Sequence, residues 1–367
     1  MNNKFLAAKV NTSQGDYRVI VGKSIIDTLG AELEKANLKN KRCFLISDKS
    51  MFPKKTKQLH ESLESQGFIT NSFSIEFSEE LKNLETVTKI YDWLADMKAE
   101  RKDFIISLGG GVAGDIIGFV ASTYLRGMPF VQIPTTLAAM TDAAIGGKVA
   151  YNLPVGKNLV GAFYQPKLVF EDLDFLDSLP EREKTSGWAE AIKHSLILDK
   201  DLFEEFYKNH DQIYKLDNEY SAEILKRSVA IKAQIVSNDE FETGDERIKL
   251  NYGHTVGHAI EKISNYSQYL HGEAVSIGMM VAANISQRMG LINKDLVNRQ
   301  EEILKNYNLP IKVKGIAVED ILEAVKMDKK NVGGRVKWVL LESLGKATIT
   351  QEVSDDIISD SILEVMN

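Results

Sequence analysis

A change of texture near residue 180 constrains the fold more than any other feature of this sequence. Before it, short β-rich runs alternate with helical patterns. Strands are predicted over 17–21, 42–46 (ending at Ser47-Asp48), 71–75, 103–108 and 130–133, with helices over 30–36, 52–65 and 84–97 between them. Such alternation implies an α/β domain with a largely parallel sheet. After residue 180 helical patterns dominate, over 181–198, 201–208, 221–237, 250–263, 272–289 and 294–307. Strands are scarce there until 336–341 and 347–351, which read as a hairpin turning near Gly345. The 367 residues exceed one ordinary core, so two domains are expected. The division is placed within 176–184: 1–179 as an α/β nucleotide-binding domain and 180–367 as a mostly helical domain, with a ligand cleft between them.

Glycines mark the first candidate site. The apolar run Phe104-Ile105-Ile106-Ser107-Leu108 leads into Gly109-Gly110-Gly111-Val112-Ala113-Gly114-Asp115 and then an apolar helix. Gly109, Gly111 and Gly114 satisfy G-x-G-x-x-G, which lets backbone N–H groups at a helix N-terminus meet a pyrophosphate. The acidic residue expected about 20 positions later is missing, and Pro134-Thr135-Thr136 stands there instead. Asp48, at the end of an earlier strand, is the alternative ribose partner. A turn needed only for packing would give the same glycines.

Two further clusters carry chemistry. Gly146-Gly147-Lys148 and Gly156-Lys157-Asn158 set ammonium groups beside flexible backbone, with Arg126 before them and Lys193, Lys232 and Arg247 after. Lysines so placed suit a phosphate or carboxylate, and alone they indicate only an anionic ligand. Three of the six histidines, His254, His258 and His271, fall within 18 positions. His254 and His258 are i, i+4 on the expected helix and share a face. With His271 they form a plausible set for a divalent ion, and Glu190, on an otherwise apolar helix face, is a candidate fourth member.

Charge and composition remove other classes. A net charge of −7 argues against sequence-independent nucleic-acid binding. The N-terminal residues lack the apolar core and cleavage site of a signal peptide, and no run approaches the roughly 20 apolar residues of a membrane helix. The single cysteine, Cys43, lies in an apolar run and fits a reducing cytosol. A cytoplasmic enzyme is expected.

Taken together, GGGVAGD (109–115), YLRG (124–127), PTTL (134–137), TDAAIGGK (141–148), GKNLVGAF (156–163), GWAEAIKH (187–194), LNYGHTVGHAIE (250–261) and HGEAVSIGMM (271–280) resemble the 3-dehydroquinate synthase family of sugar-phosphate cyclases. The strings occur in family order across nearly the whole chain. The resemblance implies an N-terminal α/β domain that binds NAD and a mainly helical C-terminal domain that holds zinc or cobalt. It also implies conversion of 3-deoxy-D-arabino-heptulosonate 7-phosphate to 3-dehydroquinate and phosphate in the shikimate pathway. The steps implied are transient oxidation by NAD, phosphate elimination, re-reduction and intramolecular aldol closure.

By the same resemblance the metal ligands are Glu190, His254 and His271, and His258 moves from the metal set to the substrate. NAD contacts fall on Asp48, Glu79, Lys82, Gly110, Gly111, Val112, Gly114, Asp115, Thr135, Thr136, Asp142, Lys148 and Lys157. Substrate contacts fall on Asp142, Lys148, Asn158, Lys193, Lys232, Arg247, Asn251 and His258, with Lys148, Lys193, Lys232, Arg247, Asn251 and His258 in the catalytic group. Either Lys329 or Lys330 meets the phosphate or carboxylate. Arg126 resembles an arginine that reaches a neighbouring subunit's site, which implies a homodimer. Ala138, Met140 and Ala150 depart from the family's usual Leu, Gln and Gly. The alternatives are a sister cyclase with another sugar phosphate, or a polyol dehydrogenase of the glycerol dehydrogenase type.

Overall fold

The computed structural model describes residues 4–38, 40–51, 54–216, 218–264, 267–331 and 336–366, with backbone alone for 328–331. It divides into two compact units, Met1–Leu179 with Leu225–Phe241, and Pro180–Ile224 with Glu242–Asn367. The sequence reading gave everything after 179 to the second domain, so 225–241 is the stretch on which the two divisions differ. Its allegiance has visible causes. Lys226 Nζ donates to the Lys4 carbonyl (2.7 Å), Asn11 N to Ser237 Oγ (3.0 Å) and Ser13 N to a Glu240 carboxylate oxygen (2.7 Å).

The strands are β1 (Leu6–Val10), β2 (Tyr17–Gly22), β3 (Arg42–Asp48), β4 (Ile69–Ile75), β5 (Phe104–Gly109), β6 (Phe130–Pro134), β7 (Lys148–Leu153), β8 (Gly156–Phe163), β9 (Leu168–Asp172), β10 (Trp338–Ser343) and β11 (Lys346–Thr350). The first unit is built on a seven-stranded sheet of order β1-β2-β9-β6-β5-β3-β4. Among the described pairings of that sheet, only β1–β2 is antiparallel. Both faces are covered, as a parallel sheet requires. On β5, Phe104, Ile106 and Leu108 join one apolar layer with Leu29, Leu59 and Leu63. Ile105 faces the other, with Ile90, Ile116 and Val120. Period-two alternation between two buried layers explains why this run is apolar throughout.

Five segments depart from the sequence expectation. Residues 148–163 form the antiparallel hairpin β7–β8, and 168–172 form an internal sheet strand. Helices Val318–Asn331 and Asp355–Leu363 were not foreseen. The expected helix over 250–263 is broken: a 3-10 turn covers Arg247–Asn251, and the α-helix begins only at His254. The break lies at Gly253, whose φ of +82° is left-handed and favours glycine. In the second unit, β10 and β11 form the expected hairpin, with Gly345 at φ +78°.

Candidate active site

The crevice of an open parallel sheet lies where the strand order reverses, outside the carboxyl ends of the strands. Here β4 lies on one side of β3 and β5 on the other, so the reversal falls between β3 and β5. Asp48 ends β3 and Gly109 ends β5. Gly110 caps the following helix, Gly111–Thr123, without a side chain, leaving the first-turn N–H groups unscreened. Side chains here would collide. A Cβ on Gly109 would lie 2.6 Å from Ala113 Cβ, and one on Gly110 would lie 3.0 Å from Thr136 Cγ2. Thr135 N donates to the Gly109 carbonyl (3.0 Å), which fixes the Thr135-Thr136 turn beside the glycines. Asp48 is partly committed, accepting from Ser50 N (2.8 Å) and Ser50 Oγ (2.7 Å).

A charged network borders this crevice. Lys82 is buried, and its Nζ donates to Asp115 Oδ2 (2.5 Å) and Asn158 Oδ1 (2.6 Å). Burial pushes the Asp115 carboxyl up to about 6, against the opposing pull of Lys82. Glu79 Oε1 accepts from Asn152 Nδ2 (2.7 Å) and pairs with Lys157 Nζ (3.0 Å). Burial opposes its ionisation, yet Asn152 and Lys157 hold it below the usual carboxylate range. The β7–β8 hairpin thus brings Lys157 and Asn158 to Glu79, Lys82 and Asp115. Asp142 lies in a one-turn π-helix, Ala139–Ala143, and is ion-paired with buried Lys232, which belongs to this unit. Gly111, Val112 and Thr136 are half-buried, Gly114 is buried, and Lys148 is exposed at the start of β7.

The second unit gathers the other group. Helix Glu181–Leu198 carries Glu190, helix His254–Ile263 carries His254 and His258, and His271 opens helix His271–Arg288. Glycine lets the three approach. A Cβ on Gly278 would fall 1.9 Å from the Gly253 carbonyl oxygen, and one on Gly272 would fall 1.8 Å from the Ser186 carbonyl oxygen. Glu273, two residues after His271, accepts both arms of Arg182 at 2.7 Å and the Leu270 N–H at 2.9 Å. The start of the His271 helix is therefore fastened to the helix that bears Glu190.

Glu190 Oε1 lies 3.6 Å from Nε2 of both His254 and His271. This carboxylate is fully buried, and among the described residues its Oε1 accepts no hydrogen bond. Its Oε2 takes the Lys193 ammonium, one turn along the same helix and equally buried. Each imidazole has an acceptor on its other nitrogen. His254 Nδ1 faces the Tyr252 carbonyl (3.3 Å), and His271 Nδ1 faces Glu261 Oε2 (3.2 Å). With a metal bound, a proton on each Nδ1 would leave both Nε2 lone pairs turned toward Glu190. One oxygen and two imidazole nitrogens, with fixed tautomers and an orphaned acceptor, suit a divalent ion that keeps positions open.

A second trio, His258, Glu261 and His271, is also close enough to chelate. It commits Glu261, which already faces His271 Nδ1, and leaves the buried Glu190 oxygen unsatisfied, so the first set is the better cradle. His258 is exposed, its ring 5.2 Å from that of His254 and 6.0 Å from that of His271. Burial alone would raise Glu190, but Lys193 and the two histidines hold it well below the usual carboxylate range. Burial and Lys193 depress His254, which is neutral. Burial opposes protonation of His271, but Glu190 and Glu261 outweigh it and push the imidazole up to about 10.

Of the remaining expected residues, Arg247 is buried in the 3-10 turn and Asn251 ends that turn half-buried. Arg126 is exposed at φ +65°, followed by Gly127 at +117°. The side chains of Lys329 and Lys330 lie outside the described residues. Sequence analysis assigned Glu261 no role. Its spacing of i, i+4, i+7 with His254 and His258 was the available signal.

The fold matches that of sugar-phosphate cyclases. A 2-epi-5-epi-valiolone synthase from Streptomyces hygroscopicus subsp. jinggangensis 5008, solved with NAD+ and Zn2+ bound, is 26% identical with a TM-score of 0.86, covering 95% of this chain and 96% of that one. A 2-deoxy-scyllo-inosose synthase solved with carbaglucose-6-phosphate, NAD+ and Co2+ is 26% identical with a TM-score of 0.85, over 98% and 99% of the two chains.

Residues 72–186 match the 3-dehydroquinate synthase N-terminal family and residues 187–331 the 3-dehydroquinate synthase C-terminal family. A 3-dehydroquinate synthase of Prochlorococcus marinus (strain MIT 9312) is 42% identical over 342 residues, 92% of this chain and 94% of that protein. The chain belongs to the 3-dehydroquinate synthase family, whose members are lyases. Among the described residues no helix is long and apolar enough to cross a membrane.

Proposed function

We propose that this chain converts 3-deoxy-D-arabino-heptulosonate 7-phosphate to 3-dehydroquinate and phosphate, using NAD and one divalent ion, zinc or cobalt. The observation that carries the reading is the buried Glu190 oxygen without a hydrogen bond, 3.6 Å from two imidazole nitrogens whose Nδ1 atoms face acceptors. Family membership supplies the reaction. When bound, the ion supplies Lewis acidity toward a hydroxyl, and NAD supplies a hydride acceptor that later returns the hydride.

The protein's own groups bind and orient. Gly110 to Val112 and Gly114, with Asp48, Thr135 and Thr136, border the dinucleotide's diphosphate and ribose. Glu79, Lys82, Asp115, Asp142, Lys148 and Lys157 hold its other contacts. Glu190, His254 and His271 hold the metal. Lys148, Asn158, Lys193, Lys232 and Arg247 present cationic and amide groups to a substrate bearing phosphate and carboxylate, with Asp142, Asn251 and His258 facing its hydroxyls. Lys329 or Lys330 adds a further cation. Positioning and preorganised charge are the protein's main catalytic contribution. We further infer a cytoplasmic homodimer in which Arg126 serves the site of the second copy.

The test pairs two readouts during turnover. Phosphate release with no net change in absorbance at 340 nm is expected, because the cofactor is regenerated. Loss of phosphate release on chelation, restored by Zn2+ or Co2+, is also expected. Accumulating NADH would refute the reading in favour of a polyol dehydrogenase. Turnover of glucose 6-phosphate or sedoheptulose 7-phosphate, but not of the heptulosonate phosphate, would assign a sister cyclase.

A further inference from the structure

We propose that Glu261 is a positioning residue for the metal centre: its carboxylate holds the proton on His271 Nδ1 and so turns His271 Nε2 toward Glu190. This rests on the metal reading given above. Glu261 is buried on the last turn of the His254–Ile263 helix, and its Oε2 lies 3.2 Å from His271 Nδ1. It stands seven residues after His254, so one helix face supplies a metal ligand at its first turn and this carboxylate two turns on.

His271 needs such a partner more than His254 does. His254 is nine-tenths buried and faces the Tyr252 carbonyl, a backbone group fixed by the turn before it. The His271 side chain is 39% exposed. Without an acceptor, either ring nitrogen can carry the proton and the ring can turn. A carboxylate behind a metal-binding imidazole fixes both and makes the imidazole a stronger donor. It also brings a second carboxylate beside Glu190 to a cradle for a divalent cation.

The alternative trio offers the competing role, in which Glu261 is itself a ligand together with His258 and His271. The two roles make different demands on His258. A positioning Glu261 leaves His258 dispensable for metal binding, whereas a ligating Glu261 makes it essential.

The experiment is cobalt titration of the metal-free protein against a competing chelator, with the visible absorption of bound Co2+ recorded for wild type, Glu261→Ala, Glu261→Gln and His258→Ala. Glu261→Ala is expected to weaken Co2+ binding about 10- to 100-fold. The Co2+ spectrum at saturation should keep the ligand number of wild type, because no ligand is lost. Glu261→Gln, whose amide oxygen can still accept from Nδ1, should recover part of that affinity, and His258→Ala should bind as wild type does. Circular dichroism and the thermal melt of the metal-free proteins check that the variants are folded. Folded Glu261→Ala with wild-type Co2+ affinity would overturn the proposal, as would His258→Ala that loses the metal or a changed ligand number in Glu261→Ala. If wild type itself binds no Co2+, the metal reading fails and this proposal with it. Normal wild-type binding beside an indifferent Glu261→Ala removes this proposal alone.

Discussion

Gly278→Ala tests whether glycine contact between helices sets the spacing of the proposed ligands. The added Cβ would lie 1.9 Å from the Gly253 carbonyl oxygen and 2.9 Å from Gly257 N, both backbone atoms that cannot swing aside. An ordinary carbon–oxygen contact of about 3.3 Å requires the two helices to part by roughly 1.4 Å. Overpacking costs about 1–3 kcal/mol, and a backbone obstacle places this case near the top of that range. Alanine returns about 1 kcal/mol of helix propensity, leaving a net loss of about 2 kcal/mol. For a unit of this size that lowers Tm by roughly 4–8 °C. The metal should feel the change more sharply, because ligand distances tolerate only about 0.2 Å. Calorimetry of the metal-free protein would give the stability, and chelator competition with Co2+ the affinity, which is expected to fall at least about tenfold. Gly290→Ala is the control. It has no atom within 4 Å but a φ of +74°, so it costs about 1 kcal/mol of backbone strain and leaves Co2+ binding intact. Gly278→Ala that binds Co2+ as tightly as wild type would refute the idea that this contact sets the ligand geometry.

Four further outcomes are expected. Metal uptake should displace one proton, from His271, since Glu190 is already ionised and His254 already neutral. Affinity should therefore rise about tenfold per pH unit between neutrality and about 10, and a flat profile would contradict this. The same raised pKa stabilises the metal-free fold fully below the unfolded value of about 6.5, and this contribution should fade as pH climbs through about 10, which thermal melts can follow. Arg182→Ala leaves Glu273 without its bidentate partner at the start of the His271 helix. It should cost about 1–2 kcal/mol, seen as a lower Tm that Arg182→Lys only partly restores. Lys82→Met strips the ammonium from Asp115 and Asn158 and should destabilise the fold by about 3 kcal/mol at pH 7. Asp115, already pushed up to about 6, would then rise further, so the deficit should shrink as pH falls toward 4; a pH-independent loss in denaturant titrations would show that Asp115 is not the cause.

Much of the first unit was legible because its physics is local. The β5 run buries alternate residues in two apolar layers, so its sequence is apolar at every position, and its glycines are needed within one turn of it. The β7–β8 hairpin was not expected because Gly146-Gly147-Lys148 and Gly156-Lys157-Asn158 read as flexible backbone beside an anionic ligand. Asn152, Lys157 and Asn158 are strand residues that also contact Glu79 and Lys82. Strand β9 was masked by Glu171 and Asp172, charges that suggest surface yet lie buried at its end. The helix expected from residue 250 begins only after Gly253, whose carbonyl packs against Gly278, 25 positions away, a contact no local window can register.

The histidines show the same limit at the level of single atoms. Spacing correctly puts His254 and His258 on one face, and their rings do approach to 5.2 Å. Chelation, however, depends on which nitrogen points inward. That choice is made by the groups behind each ring: the Tyr252 carbonyl for His254 and the Glu261 carboxylate for His271. The oxygen they face comes from Glu190, more than 60 positions earlier, on a helix brought close where Gly272 meets the Ser186 backbone. A spacing rule reports shared faces. The proposed ligand set depends on tautomers and inter-helix distances, so the residues that fix those, Gly272, Gly278 and Glu261, are where substitutions should alter metal binding without touching a proposed ligand.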